Sequence, residues 1–162
     1  MSTENSLLDN VMQDMLTVFD ETFEKVSGVY LDRGASLFET LATISAEEAS
    51  RPVSATCATL AAQTDHTRFY LDVMEKFLQR EGDENNDWGH IWRTVGAVTP
   101  DEWEAILARL RESHQRVRRL LANPLPYQHG GFGDMLAIIV HTAYHLGEIR
   151  QAPCTLRPSA AE

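Results

Sequence analysis

Residues 135–149 read Met-Leu-Ala-Ile-Ile-Val-His-Thr-Ala-Tyr-His-Leu-Gly-Glu-Ile, an apolar run with the pattern of a helix. Its two histidines, His141 and His145, are four residues apart, so on a helix they stand one above the other. Asp134, Ile138, His141, His145 and Glu148 share one face of that helix, flanked by Met135 and Ile149. The histidines therefore point inward, where an imidazole is costly unless both ring nitrogens are satisfied. A metal ion satisfies them, and imidazole suits Zn, Ni, Fe or Cu better than Mg or Ca. A hydrogen-bonded pair in the core would satisfy them too. The third candidate ligand is His66, at mid-helix on the apolar stripe of a second long helical segment.

Three more helices are legible around this one. Over 6–26, Leu8, Val11, Met12, Met15, Phe19, Phe23 and Val26 recur at three- and four-residue steps, with Ser6 and Asp9 as a capping arrangement and Ser27-Gly28 as the stop. Over 55–80, Ala62, His66, Phe69, Val73 and Phe77 form one stripe behind Ser54 as N-cap, and Gly82 ends it. The third helix has Thr99 as N-cap, Pro100 at N1 and Glu102 at N3. Its buried face is Trp103, Ile106, Leu107, Leu110, Val117 and Leu121, and Asn123-Pro124 stops it. The fourth helix covers 132–152, behind the hinge His129-Gly-Gly131, and Pro153 ends it. Short helices are expected at 35–43 and 46–50, the second capped by Ser45 with Glu48 and stopped by Arg51-Pro52. Asp87-Trp-Gly-His-Ile-Trp92 is an aromatic connector. No strand pattern, repeat or low-complexity segment interrupts this order. The expected fold is all-α, a four-helix bundle with long crossover connections, in one domain over 1–162.

Composition narrows the partners. A net charge of −10 disfavours nucleic acid, which needs a positive face. Arg109, Arg111, Arg116, Arg118 and Arg119 read as a solvated face in the C-terminal half of a helix, and the acidic run 81–87 as a solvated loop without EF-hand spacing. No apolar run is long enough to span a bilayer, and the N-terminus lacks the positive region of a signal peptide, so no membrane partner and a cytoplasmic location are expected. Two cysteines make no disulfide framework: Cys57 reads as a small packed hydrophobe in the second helix, and Cys154 as partly exposed.

The motif inventory excludes some chemistry. A zinc peptidase needs Glu directly after the first histidine of the pair, and here that residue is Thr142. There is no phosphate-binding glycine loop and no Gly-x-Ser-x-Gly elbow. Of the other histidines, His90 falls in a loop, His114 on a mixed helix face and His129 in a hinge, each solvent-facing or structural, with His129 able to line the mouth of the site.

Three segments carry a resemblance. Ser45-Ala-Glu-Glu-Ala-Ser-Arg-Pro-Val53, Ala61-Ala-Gln-Thr-Asp-His66 and His141-Thr-Ala-Tyr-His-Leu-Gly-Glu-Ile-Arg-Gln151 resemble the DinB/YfiT-like superfamily of metalloenzymes, over nearly the whole chain after the first helix. The resemblance implies an up-down-down-up bundle, a divalent Zn, Ni or Fe held by His66, His141 and His145, and a homodimer. Characterised members are similar to S-transferases and isomerases using low-molecular-weight thiols such as bacillithiol, mycothiol or glutathione. Glu148 departs from the related signatures, which have Gln or a small residue there, and could be a fourth ligand, an acceptor behind a ligand, or a base.

The expected function is thus a metal-dependent enzyme acting on a small-molecule substrate, a thiol S-transferase or a hydrolase. Three neutral histidines leave the metal charge uncompensated and a position open. Glu148 and Tyr144 are the candidates for proton transfer. The alternative is a non-catalytic, stress-related, metal-binding dimer. A coordination sphere closed by a fourth protein ligand would favour it.

Overall fold

The computed structural model describes residues 3–82, 85–122 and 131–157. Those residues form seven helices and no strand, so the fold is all-α. In order they are α1 (Thr3–Phe23), α2 (Leu37–Leu41), α3 (Ala46–Ala49), α4 (Leu60–Leu78), α5 (His90–Thr94), α6 (Pro100–Ala122) and α7 (Gly131–Leu156). One isolated antiparallel bridge pairs Pro52 with Thr59. Each of the four long helices packs against two others: α4 against α6 and α7, and α1 against the same two. Phe19, Phe23, Leu71, Leu110, Met135, Ile138, Leu146 and Ile149 fill the space between them and are fully buried.

The helix ends follow the side chains that satisfy terminal amides. α6 starts as its sequence predicts: Thr99 Oγ1 accepts from the Glu102 amide at 3.3 Å, and Glu102 Oε2 accepts from the Thr99 amide at 2.8 Å. Its other expected boundary, Asn123-Pro124, lies outside the described residues. The Ser45–Glu48 box caps α3, and an equivalent Ser36–Glu39 box caps α2. Trp103, on the first turn of α6, donates its indole N–H to the Ile44 carbonyl at 3.0 Å and ties these short helices to the core.

Other boundaries differ from the sequence reading. α1 begins at Thr3, so Ser6 and Asp9 are interior rather than capping residues. It ends at Phe23 instead of Val26, because Glu21 turns back and takes the amides that follow. The Glu21 carboxylate is fully buried. It accepts from the backbone N–H groups of Ser27, Val29, Tyr30 and Leu31 at 2.7–2.9 Å and from the Ser27 hydroxyl at 2.5 Å. Gly28, at φ +90°, supplies the left-handed residue this wrap needs. Burial alone would raise the Glu21 pKa, but the donors outweigh it and hold the carboxyl well below the usual range.

α4 begins at Leu60, with Thr59 rather than Ser54 as N-cap; Thr59 Oγ1 accepts from the Ala62 amide at 3.1 Å. Ser54 is engaged locally with Thr56 and Cys57, a competing use of a short hydroxyl side chain. Cys57 is therefore exposed outside the helix, not packed in it. At the other end Arg80, at φ 62°, takes the left-handed position, two residues before the expected stop at Gly82. The Glu81 amide donates to Lys76 O and the Arg80 amide to Phe77 O, the paired bonds of a Schellman ending. Phe77, expected on the buried stripe, is 41 % exposed and lies over Gly82, where a Cβ would come within 2.6 Å of its ring. α7 does not stop at Pro153. It continues to Leu156, with Pro153 buried inside it. Cys154, on this last turn, is exposed.

The arginines of α6 are not a merely solvated face. Arg116 pairs with Asp72 and Glu75 of α4 at 2.7 and 2.8 Å, Arg118 with Asp20 of α1 at 2.6 Å, and the Arg111 guanidinium sits 4.4 Å from the Phe38 ring centre. In the acidic loop, Asp87 pairs with Arg93.

Candidate metal centre

α4 and α7 pack side by side, and their contact brings His66, His141 and His145 together. The three offer one ring nitrogen each, all within 4.8 Å of one another. Ring centres are 5.2 Å apart for His66 and His141, 4.9 Å for His66 and His145, and 4.6 Å for His141 and His145. His66 and His145 are buried and His141 is half-buried. This is the i, i+4 pair with its partner from the second stripe, as the spacing predicts.

The hydrogen bonding of each ring tells which edge is free. His145 Nδ1 lies 2.8 Å from Gln63 Oε1 and 3.0 Å from Glu148 Oε2. Both partners are acceptors, so Nδ1 carries the proton and Nε2 is left with its lone pair. Glu148 is thereby placed behind a histidine, at the edge away from that lone pair, and not among the grouped nitrogens. Gln63 was not legible as a site residue in the sequence. Its one signal is its position three residues before His66, on the adjacent turn of α4. His66 Nδ1 and His141 Nδ1 are buried without a hydrogen-bond partner. Such orphaned nitrogens cost roughly 1–3 kcal/mol each, which a bound group can recover.

Burial keeps the cluster neutral. Burial lowers the pKa of His66 to about 4, aided by His145 and opposed by Glu148. Burial, His145 and His66 together lower His141 to about 3. Burial also lowers His145, against the pull of Glu148. Deprotonated imidazole is the form a metal requires. The donor set, three nitrogens with a carboxylate and an amide orienting one of them, fits a divalent transition metal.

Aromatic rings surround the histidines. Tyr70 stacks on His141 with ring centres 3.6 Å apart, and Trp92 of α5 lies 4.3 Å from His66. Tyr144 is 5.0 Å from His145 and 62 % exposed. A hydrogen bond to Glu148, and that carboxylate's charge, raise the Tyr144 pKa. The remaining histidines stand apart. His90 is exposed at the start of α5, and His129 lies outside the described residues. His114 is structural rather than solvent-facing, 1 % exposed among Phe19, Phe23 and Phe38.

Comparison with protein-family models, with curated proteins and with solved structures finds no match for the chain. No helix among the described residues is long and apolar enough to cross a membrane.

Proposed function

We propose that this protein is a metal-dependent enzyme acting on a small molecule, a thiol S-transferase or a hydrolase, on a four-helix bundle of the DinB/YfiT-like type. The observation that carries the reading is the convergence of His66, His141 and His145 on one point with two buried nitrogens unpartnered. Zn, Ni or Fe suits these donors. When bound, the ion would supply positive charge that lowers the pKa of a thiol or a water. Gln63 and Glu148 fix the orientation of His145. Because Glu148 is drawn to the far edge of that ring, it leaves a coordination position open, which favours an enzyme over the closed, non-catalytic alternative.

In the S-transferase form, a thiol sulfur forms a bond to carbon of the electrophile, and the leaving group departs with its electron pair. Glu148 and Tyr144, hydrogen-bonded to each other at the rim, are the groups able to take or return the thiol proton. The bundle type is supported by the ring of contacts among α1, α6, α4 and α7. A cytoplasmic location and a homodimer belong to the same proposal.

The test is elemental analysis of protein purified without added metal or affinity-tag nickel, followed by transfer assays with small thiols and an alkyl-halide electrophile. Stoichiometric Zn, Ni or Fe, lost in His66→Ala, His141→Ala and His145→Ala, is the expected result. Activity should vanish with a chelator and return with metal. Full metal occupancy in all three variants would overturn the site. A metal-loaded protein whose fourth position is filled by Glu148, and which transfers no thiol, would favour the non-catalytic dimer.

A further inference from the structure

The histidine cluster is rimmed by aromatic rings that remain partly in water. Trp92 is 39 % exposed although its ring lies 4.3 Å from His66 and 6.2 Å from His145. Tyr144 is exposed on the α7 side of the same cluster, and Trp88, 43 % exposed, leans on Tyr70 at 6.0 Å. Large aromatic side chains gain by burial, and here Trp92 and Tyr144 stand open beside the candidate ligands. Charge at this rim is negative. Among the described residues, Glu148 is the one charged side chain acting on the histidine rings, and Asp134 acts on Tyr70. The nearby arginines are already engaged, Arg68 with Asp65 and Asp72, and Arg93 with Asp87. Among the described residues the rim around the candidate ligands thus presents aromatic faces and carboxylates, so the part of a ligand that lies outside the histidine cluster meets rings rather than a cation.

We propose that the rim formed by Trp92 and Tyr144 is a subsite for an uncharged aromatic group, so that the ligand entering the histidine cluster is an aromatic thiol or electrophile rather than an aliphatic one. This rests on the metal reading above and narrows its substrate class. Trp92 supplies a ring beside His66, and Tyr144 supplies one beside His145. Offset or edge-to-face contact with these rings would hold a phenyl group over the open coordination position.

Co²⁺-loaded protein, titrated with benzyl mercaptan and with cyclohexylmethanethiol, an uncharged aliphatic thiol of similar size, and read by the cobalt visible and near-ultraviolet spectrum, tests the proposal. Benzyl mercaptan should bind about ten-fold more tightly, the size of one good aromatic contact. Trp92→Leu should remove that preference while leaving Co²⁺ affinity within about two-fold, because Trp92 is not a ligand. Equal affinities, tighter binding of cyclohexylmethanethiol, or an unchanged preference in Trp92→Leu would overturn it. If Co²⁺ does not bind, the metal reading fails by itself, and the rim is judged on metal-free protein. Benzyl alcohol should then perturb tryptophan emission in the native chain and not in Trp92→Leu, and no such response would overturn the subsite.

Discussion

His114 is the residue whose environment departs furthest from what its sequence position suggests. It faces Phe19, Phe23 and Phe38, and neither ring nitrogen has a hydrogen-bond partner. Glu24 Oε1 approaches Nδ1 to 3.3 Å without making a bond. Burial lowers the His114 pKa to about 4, opposed by Asp20 of α1 and reinforced by Arg118 and Arg111 of α6. The unfolded chain would titrate near 6.5, so between pH 6.5 and about 4 it binds a proton that the folded state refuses. Stability should therefore fall as pH drops through that window, by about 3 kcal/mol in all at 1.36 kcal/mol per pH unit. Urea unfolding of His114→Leu across the same range should show a slope shallower by one proton's share, the remainder coming from the lowered histidines of the cluster. An identical slope in the variant would show that another group carries it. A sequence reader sees a histidine on an arginine-rich helix, and only the approach of α1 and α2 reveals a phenylalanine box.

At the scale of the element, boundaries carry the information that periodicity misses. α6 was fully legible at its start because Thr99, Pro100 and Glu102 compete with nothing else nearby. α4 differs from its sequence pattern at both ends, because Ser54 and Thr59 are both able to cap, and because an arginine does the work expected of glycine. Arg80 at φ 62° bears a Cβ strain that glycine lacks. Arg80→Gly should then stabilise the protein by roughly 0.5–1 kcal/mol, measured as a higher urea midpoint. A loss of stability would mean that the arginine side chain contributes more than its backbone costs. α7 presents a second feature. Phe132, Leu136 and Val140, four residues apart, are all exposed, and no charged residue occurs between Asp134 and Glu148. On a chain of net charge −10, this is a face that a second copy can meet without repulsion. If the homodimer forms there, Val140→Glu should give monomers in sedimentation experiments at concentrations where the native chain is dimeric. A variant that stays dimeric would place the contact elsewhere.

For the molecule as a whole, the candidate centre joins α4 to α7, helices that also meet through packing and the Gln63–His145 hydrogen bond. A metal bound only by the folded state at one hundred times its dissociation constant would contribute about 2.7 kcal/mol, and chelation should lower Tm by roughly 5–10 °C. A Tm indifferent to chelator would mean that the three histidines hold nothing. The histidine triad was readable because a four-residue spacing and a mid-stripe position survive any error in helix ends. Gln63, Trp92 and Tyr70 were not, since an amide and two rings become part of a site only when α5 folds over α4 and α7 meets it. Glu21 was hidden for the same reason: its partners are the amides of a loop whose path no periodicity describes. That loop has an unusual consequence for hydrogen exchange. Ser27, Val29, Tyr30 and Leu31 lie outside every helix, yet their amide protons are held by a buried carboxylate. They should exchange as slowly as the last turn of α1 and be released together with it, so that helix and loop behave as one opening unit. In Glu21→Gln, all four should lose protection by at least about ten-fold while the middle of α6 keeps its own, the mark of a segment fastened at a single atom pair.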